Sequence, residues 1–331
     1  MKLLHLIRWL ILVVIIIGLF LIIYNLDISK FINTVSKVRM DYVFLMIISN
    51  LLAMLLFAMA WHVVINEVYK IPFKDSFISS CIYIFGNLVI PSASFSGEAM
   101  RINYFKKKFR IPLEQVLAMI AINRFQYSVT MIGFFAIGII IAYYYGIQTF
   151  SLLVALMFVL IIIIPFILLL FRHNILISIV DKFLRIFFFF SKEKDKISFV
   201  YDKIYESVER FNATTSYFKK SKSMILALIY MALQWLFNSI TIYLAFMSIS
   251  YQVNIGIIIF TYPIFAMLTV TSIGIPANLG LMETSMIWLY SSFGISFVET
   301  LVAVFLTRTI VILMDLLIPL PMFIKYKKFV F

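Results

Sequence analysis

Six charged side chains stand in stretches that are otherwise oily. Glu98 and Arg101 follow a proline in IPSASFSGEAMR (Ile90 to Arg101), while Arg124, Glu283, Arg308 and Asp315 are set in long apolar surroundings. Guanidinium forks suit phosphate, and carboxylates suit a cation or a proton. Each charge at mid-bilayer costs roughly 2.5–3.5 kcal/mol on insertion scales, so four or five unpaired ones would cost on the order of 10–15 kcal/mol, a whole fold's stability. They must be paired or wet. Glu98 and Glu283 either pair with Arg124 and Arg308 to pin local structure, or the six groups line a polar cavity that binds substrate. Asp315 follows Arg308 by seven residues and so shares its helical face.

The charges belong to a repeated plan. IPLEQVLAMIAINR (Ile111 to Arg124) aligns with ISFVETLVAVFLTR (Ile295 to Arg308) at a constant offset of 184 residues. Upstream, Pro91 and Pro276 are each followed seven residues on by Glu98 and Glu283, with Gly97 and Gly280 just before the carboxylate. Two copies of one unit result, repeat one over 1–145 and repeat two over 149–325, within a single transmembrane domain, 1–331.

Composition names the solvent these elements fold in. Of 331 residues 64% are hydrophobic and 13% charged, and the mean hydropathy is +1.07, values no soluble globule has. The net charge of +13 sits in connecting segments, as the positive-inside rule expects, so nucleic acid is not an expected partner. A lone cysteine, Cys81, excludes an internal disulfide and suits a small buried filler.

Along the chain, Met1 to Tyr24 reads as an uncleaved first helix, because Ile22, Ile23, Tyr24 and Asn25 are too bulky for a signal cleavage site. Further spans are expected over Tyr42 to Ile65, Leu113 to Tyr145, Phe150 to Phe171, Ser223 to Ser248 and Val298 to Ile324. Ser76 to Ile90 is too short for a span and is followed by polar residues up to KKKFR (Lys106 to Arg110). Ile255 to Phe293 is broken by GIPANLG. Both read as re-entrant hairpins, whose non-helical tips must be packed in protein or line a wet cavity. Arg172 to Lys222 holds eleven Lys or Arg against six Asp or Glu, with Ile197, Val200, Ile204, Val208 and Phe211 at helical spacing. An amphipathic helix on an anionic cytoplasmic lipid surface is expected there.

With both broken segments re-entrant, KKKFR, the 172–222 segment and KYKKF fall on the cytoplasmic side, as do both termini, in the cell membrane. YYYGIQ, SYQVN and FGIS fall outside without a Lys or Arg. The external loop Asn25 to Asp41 is a mild exception. Each repeat then has three crossings, an odd number, so the second is inserted upside down: an all-α polytopic protein of about six transmembrane helices and two re-entrant hairpins, an inverted-topology arrangement typical of transporters.

No phosphate-cradling glycine loop, H-E-x-x-H, C-x-x-C or convincing Ser/His/Asp set is present. No catalytic activity, metal or cofactor is expected, and His62 reads as a satisfied or interfacial histidine.

IPSASFSGEAMRINYFKKKFRIPLEQVLAMIAINR and IPANLGLMETSMIWLYSSFGIS resemble the two motifs of the lysylphosphatidylglycerol synthase transmembrane family, a flippase-like domain, and the resemblance covers essentially the whole chain. It implies movement of an aminoacylated phospholipid, or a related lipid or lipid-linked substrate, between leaflets. Gly97, Glu98, Arg101 and Arg124 would belong to the first motif, and Pro276, Gly280, Glu283 and Arg308 to the second. The second motif departs from its relatives by reading ANLGLME where a Gly-Gly-Leu-Gly-type run is common. The chain ends at Phe331 without a soluble aminoacyl-transferase domain, so the synthase activity is expected to be absent. The expected partner is a membrane phospholipid, and an oligomer is compatible with these features. The alternatives are a membrane enzyme or subunit handling a lipid-linked sugar, and a non-lipid solute transporter.

Overall fold

Hydrocarbon leaves a backbone no partner but itself, so an apolar stretch of about 20 residues must fold as a helix. In the computed structural model, which describes residues 27–90, 92, 94–144, 194–218, 221–271 and 275–331, every regular element is helical. In chain order these are α1 (Ile28–Ser36), α2 (Met40–Val68), α3 (Phe73–Val89), α4 (Phe95–Phe109), α5 (Leu113–Tyr144), α6 (Lys194–Tyr217), α7 (Lys222–Ser248), α8 (Ile255–Thr271), α9 (Leu281–Ser292), α10 (Phe297–Leu317) and α11 (Pro319–Tyr326). Short 3-10 turns occupy Pro276–Asn278 and Lys327–Phe329.

Four helical stretches among the described residues are long and apolar enough to cross a membrane: Met40–Val68, Leu113–Ile141, Lys222–Ser248 and Phe297–Phe329. They coincide with four of the six expected spans. The other two, Met1 to Tyr24 and Phe150 to Phe171, lie outside the described residues, as does Pro91 of the first hairpin motif. At 1.5 Å per residue a helix of 29 residues such as α2 reaches about 43 Å, more than the hydrocarbon needs.

Lipid tails are as apolar as leucine, so helices here gain little from hiding apolar surface and are held by close contact instead. α2 and α7 pack closely along their lengths, with Met46 clustered with Ala245 and Ala60 with Met231 and Trp235, and Ser49 Oγ donates to Phe237 O at 2.7 Å. Their opposite faces keep Leu45, Ile48, Leu52, Ile225, Ile229 and Leu236 exposed, as side chains that look at lipid should be.

Contacts sort the element ends into two faces. At one, Lys108 pairs with Asp75, Asn103 Nδ2 donates to Val330 O at 2.9 Å, Arg210 reaches Glu114 at 3.0 Å and Ser221 Oγ donates to Glu67 at 2.8 Å. At the other, Lys30 Nζ lies 3.4 Å from Glu299 and Arg39 N donates to Ser248 O at 2.9 Å. α2 joins the two, running from Arg39 to Glu67. The half-length pair α3 and α4 starts and ends at the first face; α8 and α9 start and end at the second. Their inner ends meet, with α3 against the Pro276–Asn278 turn.

The last span runs through as expected, with a kink at Ile318 between α10 and α11, because Pro319 cannot donate to the preceding turn and Pro321 follows. One local expectation changes. Within the 172–222 segment, α6 is helical as its spacing predicts. Yet Ile204, Val208 and Phe211 are half-buried, Thr214, Thr215 and Phe218 are buried, and the helix packs on α5. Part of the apolar stripe is therefore a protein contact. Ile197 and Val200 have side chains outside the described set. Cys81 is buried, and His62 Nδ1 lies 3.0 Å from Ser76 Oγ.

Candidate functional site

The first hairpin tip is built on two glycines. A Cβ on Gly97 would lie 2.3 Å from Tyr83 O and 2.6 Å from Asn87 Oδ1, and one on Gly86 would lie 2.9 Å from Gly97 Cα, so α3 and α4 touch backbone to backbone. The tip satisfies its own polar groups. Gly97 N donates to Asn87 Oδ1 at 2.9 Å, Ser96 N to Ser92 Oγ at 2.7 Å, and Ser96 Oγ to Gly86 O and Ile90 O, both at 2.9 Å. Glu98 is thereby set in the first turn of α4, where the helix dipole favours a carboxylate.

From there Glu98 reaches two guanidiniums. Its Oε1 is 2.8 Å from Arg124 Nη2 on α5, and its Oε2 is 3.5 Å from Arg101 Nη1 one turn further along α4. Arg124 Nη2 also donates to Tyr83 OH at 3.1 Å. Arg101 is 0% exposed and stacked among rings, its Cζ 4.4 Å from the Trp61 centroid, 4.3 Å from Tyr83 and 5.6 Å from Phe57. Desolvated contacts of this kind are worth about 2 kcal/mol, which offsets only part of the cost of burying a cation. Trp61 is held in register by a 3.0 Å bond from its Nε1 to Ser79 Oγ.

The second tip uses the same parts. Glu283 stands in the first turn of α9, its Oε2 accepting from Gly280 N and its Oε1 from Arg308 Nε on α10, both at 2.6 Å. Arg308 Nη2 also donates to Ala277 O at 2.6 Å, so one guanidinium fastens the carboxylate and the turn together. Ala277, Asn278 and Gly280 have φ of 50, 55 and 81°, the left-handed region. The motif's departure from a glycine-rich run therefore leaves L-residues in a conformation glycine would accept freely, at a cost of roughly 1–2 kcal/mol for a residue such as Ala277.

Between the tips lies a cavity of about 340 Å³. Ser92 and Ser94 border it from the first tip, and Ala277 and Asn278 from the second. Its wall is rich in amides and hydroxyls: Asn50 on α2, Asn87 and Tyr83 on α3, Tyr127 on α5, Gln234, Asn238 and Thr241 on α7, and Tyr262 on α8. Asn238 Nδ2 donates to Tyr262 OH at 2.7 Å, whereas Asn50 Oδ1 and Gln234 Oε1 are buried with no hydrogen-bond partner among the described residues.

Of the six charged residues read from the sequence, Arg308 and Asp315 line this cavity. Glu98, Arg101, Arg124 and Glu283 are not among its lining residues. Both glutamates are paired with the arginines expected for the pinning arrangement, Arg124 and Arg308. Asp315 has no ion-pair partner among the described residues. No group of three or more His, Cys, Asp or Glu that could hold a metal ion occurs among them either.

Residues 8–318 match the model of the lysylphosphatidylglycerol synthase TM region. The chain belongs to that family. It is also similar to the UPF0104 membrane protein MJ1595 of Methanocaldococcus jannaschii, 26% identical over 282 residues that cover 82% of this chain and 80% of the relative. In this member of the lysylphosphatidylglycerol synthase TM-region family, several site residues escaped the sequence reading. The aromatic box of Phe57, Trp61 and Tyr83 gave no signal, since Phe and Tyr number 35 and 18 across the chain. The amides did: Asn50, Gln234 and Asn238 are polar groups inside apolar spans, which normally face the bundle interior.

Proposed function

We propose that this multi-pass membrane protein moves the polar headgroup of a lipid between leaflets, taking it through the cavity where the two hairpin tips meet. The observation that carries this is a polar cavity of about 340 Å³, bounded by both tips, inside a chain whose outward helix faces are apolar. A headgroup needs a wet path and its tails do not, and such a chain offers both solvents side by side. α3–α4 and α8–α9 act as re-entrant hairpins entering from opposite faces in an inverted repeat, and rocking of one against the other would expose the cavity alternately. The face carrying Lys70, Lys74, Lys106 to Lys108 and Lys325 to Lys328 is then cytoplasmic and rests on anionic lipid of the cell membrane.

The paired charges act as latches that fix the tips; Arg308 and Asp315 meet the headgroup. Substrates that fit are phospholipids, aminoacylated ones among them. The amides Asn50, Asn87, Gln234 and Asn238 favour a second reading, a hydroxyl-rich lipid-linked sugar handled in the same cavity. The test is headgroup accessibility of fluorescent phospholipids in proteoliposomes. Exchange faster than in protein-free vesicles is expected. Equal rates with zwitterionic, anionic and lysyl headgroups would sink phospholipid movement and leave the sugar-linked substrate to be assayed in its place.

A further inference from the structure

Arg101 breaks the internal repeat. Each hairpin carries one glutamate paired with one distal arginine, at matching positions, but where the first hairpin has Arg101 the second has Met286. The first tip therefore holds one guanidinium more than its carboxylate can neutralise. That guanidinium is fully buried, and none of its Nε, Nη1 or Nη2 atoms makes a hydrogen bond among the described residues. Its nearest polar neighbour, Glu98 Oε2, is 3.5 Å from Nη1 and is likewise without a hydrogen-bond partner there.

The shape of the surroundings says what this group is prepared for. A guanidinium is planar, with donors only around its edge. The ring of Trp61, 4.4 Å from Arg101 Cζ and itself fastened to Ser79, backs the plane on one side, and the ring of Tyr83, 4.3 Å away, covers it on the other while the donors stay unused. A planar fork with open donors matches the two oxygens of a phosphate. Two of the surrounding residues, Tyr83 and Phe57, also line the cavity, so Arg101 adjoins it behind these rings. Tyr83 is in turn tied to Arg124 through its hydroxyl at 3.1 Å.

We propose that Arg101 is an oxyanion subsite for a phosphate group, adjoining the cavity and closed by Tyr83 in the present conformation. It rests on the proposed function for its route of entry: a phosphate arriving in the cavity displaces the Tyr83 ring, and its oxygens take the Arg101 donors while the Glu98 pair with Arg124 stays in place. The subsite accepts the phosphate of a phospholipid headgroup or a free phosphate.

The experiment is calorimetric titration of the full chain in maltoside micelles with dihexanoylphosphatidylglycerol and, separately, with inorganic phosphate, using wild type, Arg101→Gln and Arg101→Lys. Wild type is expected to bind, Arg101→Gln at least tenfold more weakly, and Arg101→Lys in between, because a lysine keeps the charge and loses the fork. Binding of the phospholipid alone assigns the subsite to a lipid headgroup; equal Arg101-dependent binding of inorganic phosphate assigns it to free anion. A monodisperse Arg101→Gln that binds as tightly as wild type overturns the subsite, and so does a wild type that binds neither probe. If Arg101→Gln does not fold, Arg101→Lys decides: it should bind dihexanoylphosphatidylglycerol several-fold more weakly than wild type, and equal affinity overturns the proposal. Arg101-dependent binding without lipid exchange in vesicles would keep the subsite and remove the transport function. Exchange that persists with no Arg101-dependent binding would do the reverse.

Discussion

Replacing Glu283 with Gln removes the charge that holds the second tip. In the native protein Arg308 Nε is 2.6 Å from Glu283 Oε1, the two side chains are 14% and 11% exposed, and Gly280 N takes the other carboxylate oxygen at 2.6 Å. Glutamine can keep one of these bonds but leaves a largely buried guanidinium uncompensated. Removing one partner of a buried pair costs about 3–5 kcal/mol, the range expected for Glu283→Gln. Removing both behaves differently. In Glu283→Gln/Arg308→Met neither charge of the pair is left, and the remaining loss is the bond from Arg308 Nη2 to Ala277 O, an orphaned carbonyl worth about 1–3 kcal/mol. The double variant should therefore be about 2 kcal/mol more stable than Glu283→Gln alone, and its loss should be far smaller than the sum of the two single losses. Reversible denaturant unfolding in mixed micelles measures all four corners of the cycle. A coupling below about 0.5 kcal/mol, or a double variant that loses the sum of the single losses, would refute the latch.

Other outcomes follow from single contacts. Gly97→Ala should lower stability by roughly 1–3 kcal/mol, since its Cβ would stand 2.3 Å from Tyr83 O, whereas Gly133→Ala, with nothing within 4 Å, should be neutral or gain about 0.5–1 kcal/mol; the same unfolding assay compares them. Ala277→Gly should relieve the left-handed φ of 50° and raise stability by up to about 1 kcal/mol after the entropy glycine brings, and a loss would show that the turn gains from its side chain. Asp315→Asn should melt like the wild type yet move amine-bearing lipids at least tenfold more slowly than neutral-headgroup lipids in vesicles. Equal slowing of both would remove Asp315 from headgroup selection.

Much of the fold was legible because the bilayer imposes length. Four expected spans coincide with observed helices, and the prolines and glycines near Pro91 and Pro276 mark where two apolar stretches turn back. The partners Glu98 with Arg124 and Glu283 with Arg308 were legible through the repeat alone, since equal spacing in both copies put each glutamate beside the same downstream arginine. Which side of a hairpin faces the cavity was not legible. Helical periodicity is blurred when every face is apolar, so although Arg308 and Asp315 could be put on one helical face, nothing separated these two lining residues from the enclosed Arg101. The box of Phe57, Trp61 and Tyr83 is assembled from two helices, α2 and α3, and no spacing along either one encodes it. Pro319 puts a kink between α10 and α11 inside a span that its apolar run made legible as one piece.

The most direct test of the cavity as a headgroup path is to fill it. Thr241 is buried on α7, lines the cavity and takes no part in either ion pair, and its Oγ1 bonds only within its own helix, to Phe237 O. Fluorescent-phospholipid exchange would be followed in proteoliposomes carrying wild type or a monodisperse Thr241→Trp of wild-type melting behaviour. The wild type should accelerate exchange and Thr241→Trp should return it to the protein-free rate. Exchange through the plugged protein as fast as through the wild type would contradict the cavity as the path.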